Sequence, residues 1–182
     1  MRIAAGFKAH SGWAALVVIG SSDEGYVVVE RRRIELVDEA WAKQPYHAAA
    51  KLPQAEARDV VHRGIDSAHT IAERVMRAFI QRSAGHEIAG CAVLVGTEMP
   101  EWTIEQILSV HVRMHKAEGV LFPMALAFAA DECGLIVGTF VEKNLPAMYT
   151  ATIAKLGKSV GPPWGKDQKN AALAAMIVLN GG

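Results

Sequence analysis

Cysteine is scarce in this chain of 182 residues: Cys91 and Cys133 are the only two, far apart and each in apolar surroundings. That excludes a disulfide framework and fits buried free thiols in a reducing compartment. No run of about 18 or more apolar residues is present, nor a basic, apolar, small-residue leader, so neither membrane spanning nor export is expected. The cytoplasm is the default location. Charge imbalance is lacking as well, with 19 Lys+Arg against 19 Asp+Glu. A nucleic-acid binder that relies on bulk positive charge is therefore disfavoured, which leaves only a local basic patch for that role. No linker, internal repeat or low-complexity segment divides the sequence. What it does have is 51% hydrophobic and 21% charged residues, enough for one sizeable core, and a single domain over residues 1–182 is expected.

The apolar pattern begins with RIAAGFKAHSGWAALVVI, which reads as two strands folded back at His10-Ser11-Gly12, with Lys8 and His10 at the mouth of the turn. A turn-forming stretch at residues 20–25 follows, then a third strand over 26–37 that mixes Val, Ile and Leu with Glu30, Arg31, Arg32, Arg33 and Glu35. This suits an edge strand with one face in water, and the arginines read as a solvated edge or as a phosphate-contacting patch. Residues 38–52 have no clean period and contain Tyr46 and His47, a polar aromatic pair of the kind that lines pockets. From Pro53 to about Gly85 the spacing is helical. IAGCAVLV (88–95) and GLIVGTFVE (134–142) are short apolar runs expected as buried strands. Between them, a helix is predicted from near Glu101, with an inward stripe through Ile104, Ile107, Leu108, His111, Met114, His115 and Glu118, and with Gly119 and Pro123 kinking or dividing it. A short helix over 145–157, a Pro-Pro-Trp-Gly loop and an alanine-rich helix over 167–179 close the chain.

Three hairpin-connected strands followed by alternating helices and strands resemble the RNase H-like fold. Gly6-Phe7-Lys8-Ala9-His10-Ser11-Gly12-Trp13-Ala14 is similar to the opening of RuvC-like domains, where Gly, an apolar residue and Asp precede a short loop. Asp167-Gln168-Lys169-Asn170-Ala171-Ala172-Leu173-Ala174 is similar to their last helix. The stretches PYHAA, HVRMHKAEG and GPPWGKDQKNAALAA also resemble a bacterial family without an assigned activity. The resemblance implies an α/β domain with a five-stranded mixed sheet, three antiparallel strands plus two parallel ones, flanked by helices. It also implies a site at the end of the central strand, where RuvC-like nucleases hold two divalent ions about 4 Å apart with carboxylates. In this sequence Lys8 stands where the first carboxylate is expected and Asn170 where the last is, which leaves Asp167 and Glu98 as remaining ligands. An ammonium at that position repels the cation, so two-metal chemistry is expected to be lost.

The candidate catalytic group implied there is Lys8, His10, Glu118 and Asp167, converging at the end of the central strand. Tyr46, His47, Glu98, His111, His115 and Lys169 are candidate binding residues. His111, His115 and Glu118 share one helix face. Three readings are open for them: histidines bonded to backbone with Glu118 paired to a lysine, a small-molecule or catalytic pocket, and a metal site. No metal ligand set and no cofactor is assigned. Asp167 also suits a helix start, Lys155, Lys158, Lys166 and Lys169 read as a solvated face or a phosphate contact, and Trp164 reads as a packing anchor.

Beside a sequence-independent nucleic-acid binder, which rests on the lysines and Arg31 to Arg33 alone, two functions follow. One is a non-catalytic binding or scaffolding protein in which Lys8 neutralises leftover carboxylates. The other is an enzyme with a rebuilt site, doing hydrolytic or acid–base chemistry on a phosphate-containing or small polar substrate. The expected partner is a small molecule or a nucleic acid, not a membrane, and a homo-oligomer is compatible with either function. Lys8 is expected within about 4 Å of Glu98, Glu118 or Asp167.

Overall fold

The computed structural model describes residues 1–181. The first fifth of the chain forms β1 (Arg2–His10), β2 (Trp13–Ser22) and β3 (Gly25–Glu35), an antiparallel meander. Gly12 closes the first turn at φ +83°, a conformation that glycine enters without a Cβ penalty. The two apolar runs form β4 (Glu87–Val95), parallel to β1, and β5 (Val137–Val141), parallel to β4. The strand order is β3-β2-β1-β4-β5, a mixed five-stranded sheet with β1 at its centre. The last strand is shorter than the run from 134 to 142 and lies outside β4, not directly beside β1.

Among the described residues, six α-helices accompany the sheet: α1 (Pro45–Ala49), α2 (Gln54–Arg82), α3 (Ile104–Leu108), α4 (His111–Glu132), α5 (Thr150–Val160) and α6 (Lys166–Leu179). The helix expected from Glu101 divides elsewhere than at Gly119 or Pro123. Thr103 and Gln106 form a capping box, in which the Gln106 amide donates to Thr103 Oγ1 at 3.2 Å and the Thr103 amide donates to Gln106 Oε1 at 2.9 Å. That short helix stops, Val110 is extended (φ −140°, ψ 117°), and α4 restarts at His111 and runs straight through Pro123. Proline there removes only the bond to the Gly119 carbonyl, and the packed flanks of the helix hold it together. The helix expected over 145–157 begins only at Thr150, after Tyr149 takes a left-handed φ of 57°.

Alternation along β1 decides what faces what. Ile3, Ala5, Phe7 and Ala9 enter the larger core, against Met76 and Phe79 of α2 and Phe122 and Leu126 of α4. Each of those large side chains contributes roughly 1.5–3 kcal/mol by leaving water. Ala4, Gly6 and Lys8 therefore point to the opposite face, where α6 packs through Ala171, Ala172, Ala175 and Met176. The approach is closest at Gly6: a Cβ there would lie 1.9 Å from the Ala171 carbonyl oxygen. Cys91 on β4 is fully buried, and that burial, with Cys133 nearby, pushes its thiol up to about 12. Cys133 is only half-buried, so the expectation of two buried thiols holds for one of them.

The three arginines of β3 are engaged locally. Arg31 donates to the carbonyls of Gly161 and Pro163 at 2.7 Å each and of Pro162 at 3.3 Å, tying the loop before α6 to the sheet. Arg32 pairs with Glu30 at 2.5 Å and Arg33 with Glu35 at 2.8 Å. They do not form an uncommitted phosphate patch. Trp164 anchors the same loop, its indole N–H donating to the Ile153 carbonyl at 3.0 Å while its ring fills the space beside Gly157. No helix among the described residues is long and apolar enough to cross a membrane.

Candidate functional site

The parallel strands β1, β4 and β5 end on the same side of the sheet, and ligands of open α/β sheets bind outside such carboxyl ends. Lys8 on β1 is in register with Leu94 on β4, which in turn pairs with Phe140 on β5. One residue beyond β5 the chain turns, and Glu142 is brought over the strand ends toward Lys8. The first turn of α6 covers the same place with Lys166 and Asn170.

These four residues make one network. Lys8 Nζ lies 2.6 Å from Glu142 Oε2, Lys166 Nζ lies 3.1 Å from Oε1, and the Asn170 amide donates to Oε1 at 3.0 Å. The lysine contacts, Lys8 first, hold the Glu142 carboxyl at about 2, well below the usual carboxylate range, against the opposing effect of burial. The acidic partner of Lys8 among the described residues is thus Glu142, not Glu98, Glu118 or Asp167. Sequence reasoning missed Glu142 because nothing in a single acidic residue after an apolar run marks it. Its position one step past a buried strand was the available signal.

A cleft of about 790 Å³ opens beside this network. Leu94, Pro123, Leu145, Met148 and Leu173 give it apolar walls, and Lys8, Glu142, Lys143, Lys166, Lys169 and Asn170 give it polar ones. Gly119 and Pro123 both line it. Lys169 lines the same cleft.

The other expected residues lie in three further places. His10 and Asp167 meet at 2.9 Å, Nε2 to Oδ2, and the His10 ring stacks on Trp13 with centroids 4.4 Å apart. Arg33 lies over the same indole at 3.9 Å. Glu98 is exposed on the loop after β4, lining with Val120 and Met124 a depression that adjoins the cleft through Gly96, Thr97 and Pro123. Glu118 does not join Lys8. It is 3% exposed and turned toward α1, where Oε1 accepts the His47 backbone N–H at 3.0 Å and Oε2 contacts His47 Nδ1 at 2.7 Å. Tyr46, buried next to it, has its hydroxyl pushed upward by burial and further by the Glu118 charge. His111 and His115 are exposed on the flank of α4 and not in the inward stripe, with their Nε2 atoms 3.0 Å apart. Neither lysine pairing for Glu118 nor backbone bonding for the two histidines is what forms. The group expected at the end of the central strand is therefore divided: Lys8 in the cleft, His10 with Asp167 beside it, and Glu118 with the histidine cluster.

No protein-family model matches the sequence, and no curated protein matches it. RuvC of Thermus thermophilus, solved in complex with a Holliday junction substrate, matches at a TM-score of 0.50 and 12% identity, covering 100% of this chain and 93% of its own. A second structure of Thermus thermophilus RuvC matches at a TM-score of 0.48 and 12% identity, covering 98% of this chain and 93% of that one. At such identity the likeness is one of fold, and the fold of this chain is RNase H-like: a mixed five-stranded α/β sheet flanked by helices.

Proposed function

We propose that this protein is a binding domain on an RNase H-like scaffold, whose cleft takes a small phosphate-bearing molecule and which performs no two-metal phosphodiester cleavage. The observation that carries this reading is the saturation of Glu142 by Lys8, Lys166 and Asn170. A divalent ion needs several oxygen ligands, whereas both oxygens of this carboxylate are committed and two ammonium groups adjoin it. A cation 4 Å from an ammonium is repelled by about 4 kcal/mol per unit of its charge at an effective dielectric near 20. Repulsion of that size outweighs what one shared carboxylate offers.

The same charges favour an anion. Four lysines and one glutamate line the cleft, and Lys143 and Lys169 face it without an acidic partner among the described residues. A phosphate group is also what the Holliday junction bound by Thermus thermophilus RuvC presents. Here the balanced overall charge and the engaged arginines of β3 favour a small phosphorylated molecule over a polymer.

Pyrophosphate at a hundred times its dissociation constant is expected to stabilise the protein by about 2.7 kcal/mol. A Lys143→Ala, Lys169→Ala double variant should lose most of that response, and millimolar Mg²⁺ or Mn²⁺ alone should leave the melting temperature nearly unchanged. Metal-dependent cleavage of a DNA junction would overturn the reading, as would steeply salt-dependent retention on DNA with no response to pyrophosphate. A second reading, an enzyme with a rebuilt site, is supported by the His10–Asp167 pair, since a carboxylate that orients an imidazole is an arrangement used in general acid–base catalysis. Hydrolysis of p-nitrophenyl phosphate that disappears in His10→Ala would favour it.

A further inference from the structure

We propose that His47, His111 and His115 form a transition-metal site, fitted to Zn²⁺, with Glu118 as the carboxylate that orients His47. This site is separate from the lysine-lined cleft and does not depend on its proposed role.

The argument starts from the buried carboxylate. Glu118 is 3% exposed, and a carboxylate taken out of water needs charged or hydrogen-bonding partners for both oxygens. It finds them in a single residue, the backbone N–H and the Nδ1 of His47. Those two contacts fix the orientation of the imidazole. With Nδ1–H donated to the carboxylate, the neutral ring carries its lone pair on Nε2, which is the tautomer a metal requires.

Around that fixed ring the other two histidines are supplied by helix geometry. His111 and His115 are one turn apart on α4, and their rings lie 5.1 Å and 4.6 Å from the ring of His47, centroid to centroid. Their own centroids are 4.6 Å apart. One nitrogen from each of the three rings falls within 4.8 Å of the others, and the Nε2 atoms of His111 and His115 are 3.0 Å apart. Zinc bonds imidazole nitrogen at about 2.0–2.1 Å, which puts the nitrogens of a tetrahedral site about 3.3–3.4 Å from one another. The His111–His115 nitrogens are slightly closer than that, and His47 completes the set within 4.8 Å. Exposed imidazoles ordinarily turn apart into water, whereas His111 and His115 converge on the half-buried His47, and a shared cation accepting the three lone pairs accounts for the convergence.

Glu118 supplies the independent feature. A ligating histidine commonly donates its other ring N–H to a carboxylate, which fixes the ring and raises its basicity. Here that carboxylate is buried beneath the cluster while His111 and His115 reach solvent. Three imidazoles suit zinc, copper or nickel better than magnesium or calcium. They also leave a fourth position open to water, the arrangement of exchangeable or catalytic zinc and not of a closed structural site.

The test is calorimetric titration of untagged, chelator-treated full chain with ZnCl₂, followed by zinc-edge X-ray absorption of the loaded protein. One equivalent is expected to bind at micromolar concentration or below, with three imidazole scatterers. His111→Ala and His115→Ala, at exposed positions that do not support the core, should each lower affinity by more than the roughly 100-fold upper end of outer-shell effects. Glu118→Gln should lower it by roughly 10- to 100-fold. Lys169→Ala, which removes a cleft charge, should leave zinc binding unchanged. If the wild-type chain takes up no zinc, or if both histidine variants bind it as the wild type does, the site does not exist. Failure of pyrophosphate to bind would leave this result untouched.

Discussion

Gly6→Ala is expected to lower the melting temperature by about 6–12 °C, the largest effect of any single methyl group added to this chain. The new Cβ would stand 1.9 Å from the backbone oxygen of Ala171, inside the closest contact between β1 and α6. No rotamer change relieves a clash with a carbonyl, so the helix must lift from the sheet. Overpacking of this kind costs about 3 kcal/mol, and 1 kcal/mol is worth about 2–4 °C in a domain of this size. The displaced helix also carries Lys166 and Asn170, so the variant should lose the response to pyrophosphate along with stability. Differential scanning calorimetry checks the first effect. A shift below about 2 °C would mean that α6 does not bear on the sheet as described.

Lys8→Met should destabilise the protein by about 1–3 kcal/mol at neutral pH, because it leaves Glu142 partly buried with one ammonium in place of two. The pH dependence distinguishes this from mere loss of packing. Since the Glu142 carboxyl is held at about 2 in the folded chain, below its unfolded value, its contribution is complete above the ordinary carboxylate range and is lost as pH falls toward about 2. Wild type should therefore show a stability loss between roughly pH 4.5 and 2 that the variant shows only weakly. Denaturant midpoints measured across that range give the comparison, and parallel curves for the two proteins would refute the assignment. Lys8→Asp goes further, setting a second carboxylate against Glu142. It should be less stable than Lys8→Met without metal, and Mn²⁺ should restore stability to it while leaving the wild type unaffected.

Much of the fold was legible because its main elements carry strong local signals. The apolar strands folded back at residues 10–12, the mixed third strand and the helical spacing of α2 specify structure locally, and the Lys8 substitution located the centre of the sheet. What the sequence concealed depends on contacts across long separations. Glu142 reaches Lys8 only because β5 stacks outside β4, and His47 meets His111 and His115 only because α1 packs against α4. The division of the helix at Ser109–Val110 carries no capping signal of its own: the Thr103–Gln106 box marks the start of α3, and Val110 ahead of α4 makes no side-chain cap. The inward stripe failed at His111 and His115 for the same reason. Beginning at the first turn of a new helix, they lie on its flank toward α1 and not beneath it.

The burial of Cys91 gives the molecule an internal clock. A thiolate is the reactive form of cysteine, and a thiol held at about 12 inside the parallel half of the sheet offers an alkylating reagent almost none of it. Cys133, just after α4, is half-buried and partly reachable without any such opening. The two sulfurs of one chain thus report on different events, one on ordinary surface accessibility and the other on the separation of strands from the helices that cover them. Alkylation of Cys91 proceeds only as fast, or only as often, as the sheet comes apart.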